Sequence, residues 1–168
     1  MKRKNIETEE SEKTILDVAC GGKMFYFNKN DPRVLFCDKR MFKKELCDGR
    51  TFEVKPDIVC DFTNLPFVSE SYSVVVFDPP HLKRNNSDHE ATGWQHIKYG
   101  ELNPGWQDML KKGFKECFRV LKKNGVLIFK WSEIEIPVSE ILKLTDMVPV
   151  FGHKSGKQNL THWICFVK

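Results

Sequence analysis

At 168 residues, 40% hydrophobic and 30% charged, the chain is long enough to bury a full core as one domain without covalent staples. No apolar run reaches the roughly 18–20 residues of a membrane-spanning helix, so no membrane partner is expected. The net charge of +4 permits a polyanionic partner without requiring one. The expected organisation is a flexible, polar arm over 1–13, read as solvated chain rather than a secretory signal, and a single domain over 14–168. Cys20, Cys37, Cys47, Cys60, Cys117 and Cys165 form no C-x-x-C pair and read as small core residues in a reducing cytoplasm.

Thr14–Gly22 is the first predicted strand and its turn, with Ile15, Leu16 and Val18 inward and Gly21-Gly22 breaking the strand. Glycines there let the backbone pass close to a ligand, and a helix starting behind them would offer free N–H groups. The dinucleotide signature G-x-G-x-x-G is absent, which disfavours a nicotinamide cofactor. Arg33–Asp38 is a second strand, and the 21 residues from Asp17 to Asp38 match one strand–helix–strand step. An acid at that distance from a glycine turn suits ribose hydroxyls. Asp57–Asp61 is a third strand, and Phe62–Tyr72, broken by Pro66, is expected as a turn or a single helical turn.

Ser73–His81 reads as a buried central strand stopped by Pro79 and Pro80, neither of which can extend a ladder. Asp78 is thereby left at the strand's C-terminal end, where open α/β sheets bind ligands. The 82–105 segment is polar, basic and rich in turn residues, and is expected to form a mobile lid over that end. Trp106–Lys123 is an amphipathic helix with Leu110, Phe114, Cys117, Phe118 and Leu121 on one stripe and Arg119 on the solvated face. A strand over Val126–Trp131 follows, then a short helix from Pro137 to Leu144. The tail is a hairpin of Met147–Phe151 and Thr161–Val167, joined by a loop over 152–159. One strand-terminal aspartate is ordinarily a cap. Asp17, Asp38, Asp61 and Asp78, all at crossover spacing, point instead to a ligand site.

In order and spacing these motifs resemble the class I S-adenosylmethionine-dependent methyltransferases, over about Thr14 to Lys168. The resemblance implies an α/β, Rossmann-like three-layer sandwich with a seven-stranded, mostly parallel sheet and an antiparallel last strand. It implies S-adenosyl-L-methionine as cofactor, its methionine part on the turn formed by Asp17, Ala19, Cys20, Gly21 and Gly22. Asp38 matches the acid that bonds the ribose, and Asp61 with Phe62 matches the pair beside the adenine. The usual Asp-x-Gly-x-Gly-x-Gly has Ala19 and Lys23 in place of its first and last glycines.

Asp78-Pro79-Pro80-His81 looks like the [Asp/Asn/Ser]-Pro-Pro-[aromatic] motif of the amino-directed members. That likeness implies methyl transfer to an exocyclic nitrogen, most often adenine N6 in DNA or RNA. An adenine amino group is a poor nucleophile, because its lone pair is delocalised into the ring. Acceptors at Asp78 and at the Pro79 carbonyl favour the pyramidal nitrogen of the transition state, and the prolines hold them rigid. The ring after the prolines stacks on an unstacked base. His81 stands where Tyr or Phe is commoner, and its charge is expected to titrate near working pH. The methyl donor's sulfonium needs no metal. A separate target-recognition domain has no room, so a protein partner is one source of target choice. Two other readings fit the same residues: an acceptor that is a protein glutamine or small-molecule amine, and a cofactor-binding accessory subunit without catalysis.

Overall fold

The computed structural model describes residues 13–46, 48–83 and 94–168. Apart from Lys13, the expected arm lies outside the described residues, as do Cys47 and positions 84–93 of the expected lid. In chain order the elements are β1 (Ile15–Asp17), β2 (Val34–Asp38), β3 (Phe42–Glu45), β4 (Thr51–Val54), β5 (Ile58–Val59) and β6 (Tyr72–Phe77). They continue with α1 (Trp94–Tyr99), α2 (Trp106–Val120), β7 (Leu121–Ser132), α3 (Val138–Leu142), β8 (Phe151–Ser155) and β9 (Thr161–Val167). Among the described residues no helix is long and apolar enough to cross a membrane.

Seven strands form one sheet in the order β5-β2-β1-β6-β7-β9-β8, and β3 and β4 pair only with each other. The first five of that order are parallel and β9 runs antiparallel to β7, as expected. Alternate side chains line up across the ladders: Leu35, Leu16, Val75, Leu127 and Phe166 form one row. Leu110, Phe114 and Cys117 of α2 and Ile141 of α3 join these residues in the main core. The chain runs from β1 outward to β2 and β5, then returns to β6 on the other side of β1. The two halves of the sheet therefore diverge between β1 and β6, and the crevice at their C-terminal ends is the natural ligand position.

Two crossovers differ from the expected strand–helix–strand step. Between β1 and β2 the described chain is irregular, because its polar side chains bond their own backbone. Asn28 Oδ1 accepts the Asn30 N–H at 3.0 Å and Asp31 Oδ1 accepts the Arg33 N–H at 3.0 Å, turns that compete with a helix. Between β2 and β5 stands the β3–β4 hairpin, with Phe52 and Val54 inward.

Helix α2 ends at Val120, three residues before the predicted stop, and Leu121 is already extended and paired with Tyr72. Leu121 is fully buried there, so its apolar character fitted either role. Arg119 is not on a solvated face. It pairs with Glu116 at 2.7 Å and donates to the carbonyls of Phe67 (2.8 Å) and Leu65 (3.0 Å), tying the turn segment before β6 to the helix. The tail hairpin is shifted as well: Gly152–Ser155, expected as loop, belong to β8, an edge strand whose exposure leaves no alternation to read.

Gly113 lets α2 approach the sheet. A Cβ there would stand 2.8 Å from Phe77 Cζ and 2.9 Å from Phe62 Cδ2, ring atoms with no room to move in a packed core. Gly113→Ala gains about 1 kcal/mol of helix propensity and meets an overpacking cost of about 1–3 kcal/mol. The expected result is a net loss of roughly 1 kcal/mol in urea unfolding. A more stable variant would show that the rings yield.

Candidate active site

The C-terminal ends of β5, β2, β1, β6 and β7 are neighbours in that order, and carry Asp61, Asp38, Asp17, Asp78 and Lys130. Asp17 is fully buried, and its Oδ1 accepts the Ala19 N–H at 3.1 Å, which turns the chain out of β1. Burial pushes its carboxyl up to about 7. The charges of Asp78 and Asp38 act in the same sense, against the Ala19 N–H and the neighbouring Tyr26 hydroxyl. Asp17 Oδ2 has no hydrogen bond among the described residues.

Asp38 is met by partners on both oxygens. Oδ2 accepts from the Gly21 N–H (2.9 Å) and Arg40 Nη2 (3.3 Å), and Oδ1 from the Arg40 N–H (2.9 Å) and Arg40 Nε (3.1 Å). The first of these fixes the glycine turn, where Gly21 has φ +48°. Arg40 Nη1 also donates to the Ile97 carbonyl of α1 at 3.3 Å. Lys23, at φ +53° where the motif has glycine, is held by its ammonium, 3.9 Å from the Phe36 ring centre and 3.3 Å from the Lys29 carbonyl.

Asp78 Oδ2 is paired with Lys130 Nζ at 2.6 Å, with the two side chains 17% and 18% exposed. Oδ1 has no hydrogen bond among the described residues. The Lys130 ammonium is 5.4 Å from the Phe25 ring centre and 5.7 Å from that of Trp163. His81 is buried 5.1 Å from the Tyr99 ring and 6.2 Å from Trp131. Burial pushes its imidazole below the ordinary value, helped by Lys130 and opposed by Asp78 and the Pro79 backbone. The ring is therefore neutral at pH 7, and its expected titration moves to more acid conditions. Gly100, just past α1, lies where a Cβ would be 3.2 Å from Pro80 Cγ, so the end of α1 presses on the Asp-Pro-Pro turn.

A cavity of about 220 Å³ opens between these elements, lined by Ala19, Cys20, Gly21, Gly22, Asp78, Pro79 and His81 of the predicted residues. Pro80 does not line it, and Asp17 and Asp38 reach it through the Ala19 and Gly21 N–H groups that they hold. Asp61 and Phe62 are not brought to the cavity. Asp61 is exposed and accepts from Thr63 N–H and Oγ1, both at 2.8 Å. The Phe62 ring packs 5.1 Å from Phe77 in the core, so only its backbone is free to meet a ligand. Sequence reasoning missed Lys130, whose signal was a lone cation in the apolar run Val126–Trp131. It also missed Arg40, for which position gave no signal. Met24 and Phe25 after the β1 turn and Lys98 and Tyr99 of α1 complete the lining.

No family model matches the chain, and no curated protein matches it in sequence. Solved structures match it in shape. The PH0226 protein of Pyrococcus horikoshii OT3 superposes with TM-score 0.53 at 18% identity, over 91% of this chain and 80% of that one. The 1,6-didemethyltoxoflavin-N1-methyltransferase of Burkholderia thailandensis, with S-adenosylhomocysteine bound, gives 0.50 at 13%, over 92% and 70%. A SAM-dependent methyltransferase of Leishmania major gives 0.53 at 13%, over 94% of this chain and 66% of that one. The chain has the fold of S-adenosylmethionine-dependent methyltransferases.

On this methyltransferase fold the buried acid of β1 carries a pH signature. Asp17 titrates about 7 in the fold against 3.8 ordinarily. Between those values the unfolded chain has ionised while the fold still holds the proton. Its contribution to stability is thus full below about pH 4 and is lost as pH rises through about 7. Asp17→Asn keeps an oxygen for the Ala19 N–H and removes the titration. In urea unfolding from acid to alkaline pH, the variant should lose less stability across that window. It should exceed the wild type above pH 7 by roughly 1–4 kcal/mol. Equal pH slopes would refute the buried-acid assignment.

Proposed function

We propose that the protein transfers a methyl group from S-adenosyl-L-methionine to an exocyclic amino nitrogen, with adenine N6 of DNA or RNA as acceptor. The observation that carries this reading is the rigid Asp78-Pro79-Pro80-His81 turn, which lines one cavity with the Ala19–Gly22 turn of β1. The residues suit the cofactor. Its ammonium and sulfonium outweigh its carboxylate, and Asp38 and Asp78 stand where a cation is wanted. The β1 turn would hold the methionine part and Asp38 the ribose, while Asp61 and the Phe62 backbone, which lie outside this cavity, would meet the adenine beyond it. All four acceptor positions of Asp38 are filled by Gly21 and Arg40, so the Arg40 side chain must leave before hydroxyls enter.

When bound, the cofactor supplies an electrophilic methyl group; orientation and charge come from the chain. Asp78 Oδ1 accepts an amino hydrogen of the base, while Lys130 fixes Oδ2 and so the plane of the carboxylate. That contact strengthens as the nitrogen becomes pyramidal and acidic, and the carboxylate is placed to take its proton. Neutral His81 stacks on the base, with Tyr99 of α1 beside it. Lys98 and Tyr99 of α1 line the cavity beside the base, and a protein partner supplies any sequence choice. A second reading, a small-molecule amine, is favoured by the modest cavity and by the Burkholderia structure, which holds the small molecule 1,6-didemethyltoxoflavin.

Transfer of labelled methyl to a mixture of RNA, unmethylated DNA, cell protein and small amines, followed by digestion, tests this. Label in N6-methyladenosine or its deoxy form is expected. Label only in small molecules or protein would move the acceptor, and cofactor binding without transfer would leave an accessory subunit. Asp78→Ala should lose about 100-fold or more in kcat while binding S-adenosylhomocysteine as the wild type does; undiminished turnover would remove its role. His81→Phe should give a pH–rate profile parallel to the wild type above about pH 6.5, because burial keeps the imidazole neutral there. Divergence in that range would show a charged ring at work.

A further inference from the structure

A second, larger cleft of about 740 Å³ adjoins the transfer cavity and shares Gly21, Gly22, Met24 and Lys98 with it. One wall is the irregular chain after β1, and the other is the β3–β4 hairpin. We propose that this cleft is the track for a single polynucleotide strand, holding the phosphates that flank a base presented to Asp78. The inference rests on the function proposed above and adds where the strand lies.

Charge is the first argument. Lys23, Lys29, Lys43, Arg50, Lys55 and Lys98 line the cleft against one acid, Glu53. Arg50 is paired with Asp48, and Lys23 is occupied by the Phe36 ring. Lys29, Lys43 and Lys55 form no ion pair among the described residues and are exposed around the opening. A cationic cofactor is repelled by such a wall and drawn to the carboxylates next door, whereas a polyanion is sorted the other way.

Architecture is the second. The hairpin stands outside the main sheet and leans on the glycine turn, where a Cβ at Gly22 would lie 2.6 Å from Phe52 Cε2. Its lysines are thus fixed relative to the transfer cavity rather than scattered over a solvated face. The third is the company the cations keep. Met24, in the lining, is 53% exposed, and Phe27, just outside the lining and two residues before Lys29, leaves its whole ring in water. Lysines beside a bare aromatic ring are what single strands use, phosphates on the cations and a base on the ring. A duplex would keep its target base stacked and out of the cavity, so the occupant is single-stranded where it enters.

Fluorescently labelled oligo-dT and oligo-U, which contain no adenine for the transfer cavity, are titrated by anisotropy over a range of salt. The proteins compared are wild type, Lys29→Ala/Lys43→Ala/Lys55→Ala and Phe27→Ala, with S-adenosylhomocysteine binding measured by calorimetry on each. Wild type should bind one or both oligomers with a salt-dependent affinity, and any preference between them identifies RNA or DNA as the source. The triple variant should lose about 2 from the log–log salt slope and at least about tenfold in affinity at low salt. Phe27→Ala should bind about fivefold or more weakly with its slope intact. Cofactor-product affinity should be unchanged in both. A triple variant that binds like the wild type overturns the track and leaves the Asp78 chemistry standing. A parallel loss of S-adenosylhomocysteine binding would instead give the cleft to the cofactor. Wild type that binds neither oligomer yet methylates a small amine overturns the proposed acceptor and the track together.

Discussion

Three carboxylates, Asp38, Asp17 and Asp78, meet at the ends of three adjacent strands, and each is kept from repelling the others by a different device. Asp17 holds a proton, because a wholly buried charge without a partner is the costliest of the three. Asp38 is paired with the Arg40 guanidinium and accepts from two backbone N–H groups. Asp78 is paired with Lys130. Arg40 is a local partner, two residues after Asp38, whereas Lys130 comes from β7, 52 positions after Asp78. Strand β7 must therefore be in place beside β6 before Asp78 is paired.

The same constraint explains how a sharp glycine turn stays rigid with no helix behind it among the described residues. Where a helix N-terminus would hold the turn, three contacts take its place. Asp38 holds the Gly21 N–H, Lys23 is pinned over Phe36, and Phe52 of the hairpin fills the space above Gly22. Each contact joins the turn to β2 or to the segment that follows it. The β3–β4 hairpin is thus a buttress for the site, with Phe52 turned inward against the glycine turn.

The parallel strands and their terminal acids were legible because both signals are local. Apolar runs end at Gly21-Gly22 or Pro79-Pro80, and acids sit at the last positions. The helix α2 was legible from its stripe, though not its end, since Leu121 is apolar in helix and strand alike. What escaped was either non-local or unburied. Lys130 meets Asp78 across 52 positions, and Arg119 meets Leu65 across 54, distances no window can see. The strands β3 and β8 expose nearly every side chain, so no period marks them. The position of Phe62 was legible and its orientation was not: the ring belongs to the core, which a motif match cannot tell.

Arg40 connects these features. Its guanidinium spans the Asp38 carboxylate and the Ile97 carbonyl, one residue before Lys98 and two before Tyr99. On the proposed function, a ligand competing for Asp38 therefore acts on α1, which lines the cavity, as well as on Asp38 itself. Removing the guanidinium without a replacement would leave Asp38 buried and charged beside Asp17, so departure of Arg40 and arrival of a hydroxyl-bearing cation compensate each other. On the proposed function, that exchange makes the cofactor site and the acceptor site answer to one another through a single side chain. Only a ligand carrying both positive charge and paired hydroxyls satisfies both ends of the exchange, which is the selectivity that four acidic strand ends alone would not supply.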